Sequence, residues 1–132
     1  MHLSVDEICL TLPADDAFHG VAHLVLGGLA VRLDLTFEHL EDLELALDAL
    51  LDRPSASDEL TVRVLVADGE LRTIVGPFTS LRAEYEEDGG AEDLNLHRIL
   101  SAVCDAVEID DRDGGQWVEL TKRVDTAKEG VT

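Results

Sequence analysis

Two histidines, His19 and His23, are spaced so that a helix would place them on the same face. Histidines four residues apart can bind zinc when a further ligand completes the site. No glutamate directly follows the first histidine and no third ligand is evident, although His39 and His97 lie in later segments that are also expected to be helical. We therefore expect surface or half-buried histidines and predict no metal site.

A second group of candidate ligands is the aspartate-rich segment DDRDGG at positions 110–115. Asp110, Asp111 and Asp113 precede two glycines, as in part of a Ca²⁺-binding loop, but the bidentate glutamate that closes such a loop at its twelfth position is missing. The segment is therefore predicted to be a hairpin turn. No spacing of serine, histidine, aspartate or cysteine indicates a nucleophilic site, so neither a catalytic residue nor a cofactor is predicted.

The two cysteines, Cys9 and Cys104, lie far apart in a chain whose start lacks the charged-then-apolar pattern of a signal peptide. No apolar run approaches the roughly 18 residues that a membrane-spanning helix needs. We expect free thiols in a cytoplasmic protein, both of them small buried hydrophobic residues rather than reactive groups.

The charge of the chain is its most unusual global property. With 29 acidic and 10 basic residues, the formal net charge is −19. Such a chain repels nucleic-acid phosphates and anionic lipids and favours a basic protein partner. The same charge also suits a highly soluble surface, a salty cytoplasm or a GC-rich genome. A length of 132 residues favours a single domain, predicted at 1–125, with a frayed tail at 126–132.

The N-terminal part predicts a strand and then a helix. ICLTLP at 8–13 alternates apolar and polar residues and ends at proline, which is typical of a β-strand. Asp15 or Asp16 can then cap a helix that runs to Leu33, weakened by the pair Gly27 and Gly28. The predicted apolar face of this helix consists of Phe18, Val21, Ala22, Val25, Leu29 and Leu33.

A second helix is predicted from the N-cap Thr36 to a stop at Pro54. Acidic residues in its early turns suit the helix dipole. The predicted apolar stripe comprises Leu40, Leu43, Leu47 and Leu50, widened by Leu45 and Leu51. The strand 60–66, the turn signal Asp68-Gly69 and the strand 71–78 then predict a β-hairpin.

The remaining third predicts a loop, a helix and a closing hairpin. The acidic stretch from Thr79 to Asp93 is predicted to be a mobile loop. Segment 94–109 predicts a helix with apolar positions Leu96, Ile99, Leu100, Val103 and Val107, running into a strand at 107–109. The last strand, 116–124, contains Trp117, which is predicted to pack between sheet and helix, with an exposed interface anchor as the alternative. The order of elements implies an α/β (α+β) two-layer sandwich: a mostly antiparallel sheet with helices on one face.

Several of these segments together resemble the bacterial anti-sigma regulatory factors, the small serine-kinase branch of the histidine-kinase-like (GHKL) ATPases. The resemblance rests on LTLPA at 10–14, LAVRL at 29–33, EDLELALD at 41–48, the Asp-Gly hairpin, and ILSAVCDAVEIDDRDGGQWVELTKRV at 99–124. It covers roughly Leu10 to Arg123, and no single motif in it is diagnostic. It implies the histidine-kinase-like ATPase fold, a sheet of four or five strands covered by helices.

The nucleotide-binding positions implied by this resemblance depart from the pattern. Members that bind ATP have a glutamate where Ala49 stands and an asparagine that coordinates Mg²⁺ where Arg53 stands. Arginine has no acceptor atom and cannot bind Mg²⁺. Pro77 lies near the position of the adenine-binding aspartate, and the nearest glycine pair, at 89–90, is surrounded by carboxylates that would repel a triphosphate.

The sequence therefore predicts a regulatory protein-binding domain, similar to an anti-sigma factor, that sequesters and exchanges a partner without nucleotide chemistry. The resemblance implies a sigma factor or an antagonist protein as the partner, and a homodimer through the first strand and the nearby helix. An active serine-protein kinase with a divergent site, or an acidic mimic of nucleic acid, are the alternatives. The predicted partner-binding surface consists of Glu38, Glu41, Asp42, Glu84, Glu86 and Glu87.

Overall fold

The computed structural model describes residues 6–32, 35–86, 96–112 and 114–124. Five strands and four α-helices follow one another in this part of the chain, with a short 3-10 turn at Asp16–Phe18. In chain order the elements are β1 (Asp6–Pro13), α1 (His19–Arg32), α2 (Phe37–Leu51), β2 (Glu59–Ala67), β3 (Glu70–Phe78), α3 (Leu81–Glu86), α4 (Leu96–Val103), β4 (Ala106–Arg112) and β5 (Gly115–Arg123).

The strands form one fully antiparallel sheet in the order β1-β2-β3-β5-β4. At the tip of the β2–β3 hairpin, Asp68 and Gly69 have φ angles of 54° and 75°, the left-handed conformations that a tight hairpin turn requires. The helices cover one face of this sheet, where alternate strand residues such as Val64, Val75 and Val118 are almost fully buried. The predicted two-layer α+β sandwich is therefore confirmed.

Helix α2 forms as its sequence predicts. The Thr36 side chain accepts a hydrogen bond from the backbone N–H of His39 at 3.1 Å and so caps the first turn. Leu43, Leu47 and Leu50 are buried against the sheet, and the helix ends at Leu51. One prediction for this helix is wrong: Leu45 does not widen the buried stripe, because its side chain is 51% exposed.

The buried face of α1 also differs from the prediction. Phe18 and Val21, expected inside, are 38% and 39% exposed. The buried residues are Ala22, Leu26, Leu29 and Ala30, and Leu33 lies outside the described residues. The reason is that α1 is apolar on nearly all sides, so hydrophobic periodicity does not specify which side faces the sheet.

Two boundaries in the second half of the chain correct the sequence prediction. The expected mobile loop at 79–93 contains the short helix α3, which begins at the fully buried Leu81, while 87–93 lies outside the described residues. Helix α4 ends at Val103, and Val107 belongs to β4 instead. The chain leaves the helix here because the backbone N–H of Asp105 donates to Thr121 O of β5 at 2.8 Å.

The closing hairpin is longer than predicted. Strand β4 extends through Asp110 and Asp111 to Arg112, and β5 begins at Gly115. Trp117 does not pack between sheet and helices, because the inward side of β5 carries Val118 and Leu120 and Trp117 lies on the opposite face. There its ring lies directly over Gly76, where a Cβ atom would come within 2.5 Å of the indole.

None of the described helices is long and apolar enough to cross a membrane. The predicted domain limit at 125 and the tail at 126–132 lie outside the described residues.

The two thiols occupy different environments, which gives a first prediction. The prediction of two buried thiols is wrong for Cys9, which is exposed on the open face of β1. Burial raises the pKa of the Cys104 thiol to about 11. Because the thiolate is the reactive form, we expect one thiol per chain to react quickly with an aromatic disulfide reagent at about pH 8 and the second at least about 100-fold more slowly. Replacing Cys9 by serine should remove the fast phase; a fast phase that persists in that variant would contradict the assignment.

Candidate functional site

The end of α2 carries the two positions at which the resemblance places a catalytic glutamate and a Mg²⁺ ligand. Ala49 is half-buried against the core and offers no polar atom on its side chain. The Arg53 guanidinium turns back on the helix, with Nε donating to the carbonyl oxygen of Ala49 at 3.2 Å. At this end of α2 the structure therefore has a permanently cationic group that carries donors only.

The segment after α2 closes against the end of β3. The backbone N–H of Ala56 donates to Pro77 O at 3.0 Å, and the Ser55 hydroxyl donates to the same oxygen at 3.3 Å. Thr79 N–H donates to Pro54 O at 3.1 Å. Pro77, at the position near the expected adenine-binding aspartate, therefore serves as a backbone acceptor for the neighbouring loop.

Gly115 completes this contact between Ser55 and Ala56 of the loop and Pro77 and Phe78 of β3, which we call the closed corner. Its φ angle is 148°, and a Cβ atom there would lie 2.7 Å from Phe78 O and 2.9 Å from Ala56 Cβ. The close approach of three backbone segments is therefore only compatible with glycine. Neither the sequence spacing nor the resemblance identified this contact, because its members are distant in the chain.

Helix α3 is fixed to the closing hairpin by Arg82. The guanidinium donates to Asp111 at 2.6 Å through Nη1 and to Ile109 O at 2.7 Å through Nη2. The Arg82 backbone N–H donates to the Gln116 side chain at 2.7 Å. Asp111, considered above as part of a possible Ca²⁺ loop, instead forms an ion pair with Arg82. The guanidinium holds the pKa of the Asp111 carboxyl below its ordinary value.

The six predicted partner-binding carboxylates lie on α2, on α3 or outside the described residues. Glu38 and Glu41 are exposed on α2, and Glu86 is exposed at the end of α3. Asp42 instead contacts Lys122 at 2.9 Å, close to the sheet. Glu84 lies in α3, and Glu87 and the glycine pair at 89–90 lie outside the described residues. The surface predicted from them stays a prediction.

His23 joins α1 to α2. Its Nδ1 lies 3.0 Å from Glu44 and its Nε2 lies 2.6 Å from Asp48. Both ring nitrogens thus face carboxylates, which is the arrangement of a protonated imidazole rather than of a metal ligand. Among the described residues, no group of three histidine, cysteine or carboxylate side chains is arranged to hold a metal ion.

This arrangement predicts a pH-dependent contribution to stability. Hydrogen bonds to Glu44 and then Asp48 raise the pKa of His23 above 6.5. A raised folded-state pKa means that the stabilisation is complete below about pH 6.5 and is lost as the pH rises through the folded-state value. We expect His23→Gln to lower the unfolding free energy by about 0.5 kcal/mol at acidic pH, because the pair is half-exposed, and by nothing measurable at alkaline pH.

Urea denaturation of both proteins at about pH 5.5 and about pH 8.5 measures this difference, with His97→Gln as the control, since the His97 ring contacts the Tyr85 ring in the described structure. A difference between wild type and His23→Gln that grows with pH would contradict the assigned ion pair.

The sequence and the fold of the chain can be compared with those of known proteins. No protein-family model matches the chain. Two curated proteins named serine-protein kinase RsbW, from Bacillus pumilus and Bacillus velezensis, are each 27% identical to it. Each alignment covers 92% of this chain and 88% of the relative. The chain is thus similar to RsbW over most of its length, which supports the resemblance to the anti-sigma branch of the histidine-kinase-like ATPases.

A solved structure agrees with this assignment at the level of the fold. The crystal structure of the RsbU and RsbW domains of Rv1364c from Mycobacterium tuberculosis superposes with a TM-score of 0.66 at 19% identity. The match covers 90% of this chain and 32% of that longer one. The histidine-kinase-like fold implied by the sequence resemblance is therefore confirmed.

Proposed function

We propose that this chain is a regulatory domain of the anti-sigma type that binds and releases a protein partner without nucleotide chemistry. The observation that carries the proposal is the end of α2. Ala49 and Arg53 replace the two residues that would serve catalysis and Mg²⁺ binding, and the Arg53 side chain is bonded to the Ala49 carbonyl. The RsbW relatives are named serine-protein kinases, so retained kinase activity is the competing function.

The closed corner beside α2 supports the same proposal. Ser55, Ala56 and Pro77 bond to one another where the adenine-binding segment is expected, and Gly115 packs against them without space for a Cβ atom. A nucleotide bound there would have to break these backbone contacts. Nucleotide binding would therefore be weakened by the free energy of the hydrogen bonds that the nucleotide would have to break.

The partner follows from charge and from homology together. A net charge of −19 favours a basic surface on the partner and accelerates its association at low ionic strength. We propose a sigma factor or an antagonist protein as that partner, acting in the cytoplasm. The binding mechanism is occlusion of the partner's surface, ended when a competing protein replaces it. Self-association through β1 and α1 is part of the same proposal.

Titration calorimetry with Mg-ATP and Mg-ADP tests the absence of nucleotide chemistry. We expect no binding heat up to millimolar nucleotide. A clear one-to-one binding curve would contradict the proposal and favour the kinase. The variant that combines Ala49→Glu with Arg53→Asn is the matched comparison, since it restores the residue types of the nucleotide-binding relatives.

Affinity capture from an extract of the native host tests the partner. Recovery of a sigma factor or of an antagonist protein, released when the other is added, is the expected result. Recovery of a DNA-binding protein that duplex DNA then displaces would instead indicate an acidic mimic of nucleic acid. Recovery of neither class would count against the anti-sigma role.

A further inference from the structure

The outward surface of the α1–α2 pair carries large apolar side chains that the fold does not bury. Leu24 and Val31 of α1 are 78% and 81% exposed, and Phe37 and Leu45 of α2 are 72% and 51% exposed. Single exposed apolar residues are ordinary, but four on two adjacent helices form a patch of the kind that marks interaction sites. We propose that this surface, the α1–α2 groove, binds an amphipathic basic helix of the partner protein.

The contact between the helices shows that these residues share one side. His23 of α1 faces Glu44 of α2, and the two helices run antiparallel across a short connection. A step of one residue turns 100° around each helix, so Leu24 and Leu45 both point away from the sheet. The residues one position earlier, Ala22 and Leu43, are buried, which confirms the direction.

Glycines keep the α1 side of the groove low. Gly20 and Gly27 lie on the side of α1 that faces outward and toward α2, and a Cβ atom at either position would meet no atom within 4 Å. Val31 lies two turns after Leu24 on the same side. Because these two glycines have no side chains, the surface beside Leu24 and Val31 is open to a helix that packs along α1.

Charge decides which helix can occupy the groove. Helix α2 contributes five carboxylates and no lysine or arginine. Glu44 and Asp48 contact His23, whereas Glu38 and Glu41 are exposed on the side that borders the groove. A second copy of the chain that placed its own α2 here would bring these carboxylates against identical ones, which is unfavourable, so the self-association proposed through β1 and α1 would have to leave the α2 side of the groove free. A helix with apolar residues at three- and four-residue spacing and lysine or arginine on its flanks would satisfy both the apolar and the charged features.

This inference rests on the proposed function, since it names the surface through which the partner is held. Two synthetic helical peptides of about 18 residues test it, with the same leucine spacing and either lysine or glutamate flanks. Backbone amide shifts of the isotope-labelled chain report the binding position. We expect the lysine peptide to bind with shifts confined to α1 and α2, and the glutamate peptide not to bind.

Two sets of variants give the test its specificity. Leu24→Ser combined with Leu45→Ser should weaken the lysine peptide by about tenfold or more, while Val21→Ser, an exposed apolar residue elsewhere on α1, should leave binding unchanged. Glu38→Gln combined with Glu41→Gln should reduce the salt sensitivity of binding, while Glu119→Gln on the other face of the sheet should not.

The proposal is overturned if both peptides bind alike, if the shifts lie elsewhere, or if the chain forms a dimer that the two leucine substitutions abolish. Its failure can be told apart from failure of the proposed function. A sigma factor that binds the leucine variant with unchanged affinity removes the groove and leaves the anti-sigma role. Peptide binding in the groove without any recovered sigma factor or antagonist would support the groove and count against the anti-sigma role.

Discussion

Replacing Gly115 by alanine is expected to lower the unfolding free energy by about 3 kcal/mol and the melting temperature by roughly 10 °C. Two costs combine. A residue with φ of 148° is strained once it has a side chain, and the new Cβ atom would lie 2.7 Å from the backbone oxygen of Phe78. Because that neighbour is backbone within a strand end, it cannot move aside without breaking the closed corner.

Gly114→Ala is the matched control for this experiment. Gly114 also has a positive φ, 94°, but an added Cβ atom meets nothing within 4 Å. The control therefore includes the backbone strain without the collision, and we expect a loss of about 1 kcal/mol. Thermal unfolding followed by circular dichroism measures both variants. Equal losses would mean that the corner around Pro77 is looser than its contacts indicate.

Leu100→Ala is expected to produce a loss of similar size, about 3 kcal/mol, through a different cause. The Leu100 side chain is fully buried where α4 packs over the sheet. Its truncation removes apolar contact and leaves a cavity that the surrounding side chains fill only in part. Urea denaturation should show the loss as a lower midpoint at an unchanged slope.

Leu24→Ala provides the comparison, because it makes the same chemical change at a position that is 78% exposed. We expect a change within about 0.5 kcal/mol. A stable variant would show that folding does not require this leucine, as expected if it contacts a partner. A loss close to that of Leu100→Ala would mean that Leu24 is buried in solution, which would also argue against the open groove on α1 and α2.

The parts of the fold that sequence predicts well are those governed by neighbouring residues. Thr36 caps α2 through its own first turn, and Asp68-Gly69 closes a hairpin whose strands have clear period-two patterns. Helix α1 lacks such a signal because it carries apolar residues on nearly all of its sides. The predicted boundary between α4 and β4 is wrong for a related reason. An apolar run fits either a helix or a strand, and the backbone hydrogen bond from Asp105 to Thr121 decides between them.

In the candidate site, too, some features can be predicted from the sequence and others cannot. Ala49, Arg53 and Pro77 were identified from the resemblance to the anti-sigma factors, and Arg53 and Pro77 prove to make specific contacts with their neighbours. The contacts of Arg82 with Asp111 and of His23 with Glu44 join residues more than 20 positions apart. No single-sequence pattern reports such pairs, and the groove between α1 and α2 follows only once His23 and Glu44 are known to meet.

The order of the strands has a consequence for where the molecule opens. Strand β3 lies in the middle of the sheet, whereas β1 and β4 each have one neighbouring strand. Backbone amide protons of β3 should therefore exchange with deuterium only through global unfolding, and those at the two sheet edges through local openings of lower free energy. The corner at Pro77 would then belong to the slowest-exchanging unit, because it lies at the end of this central strand.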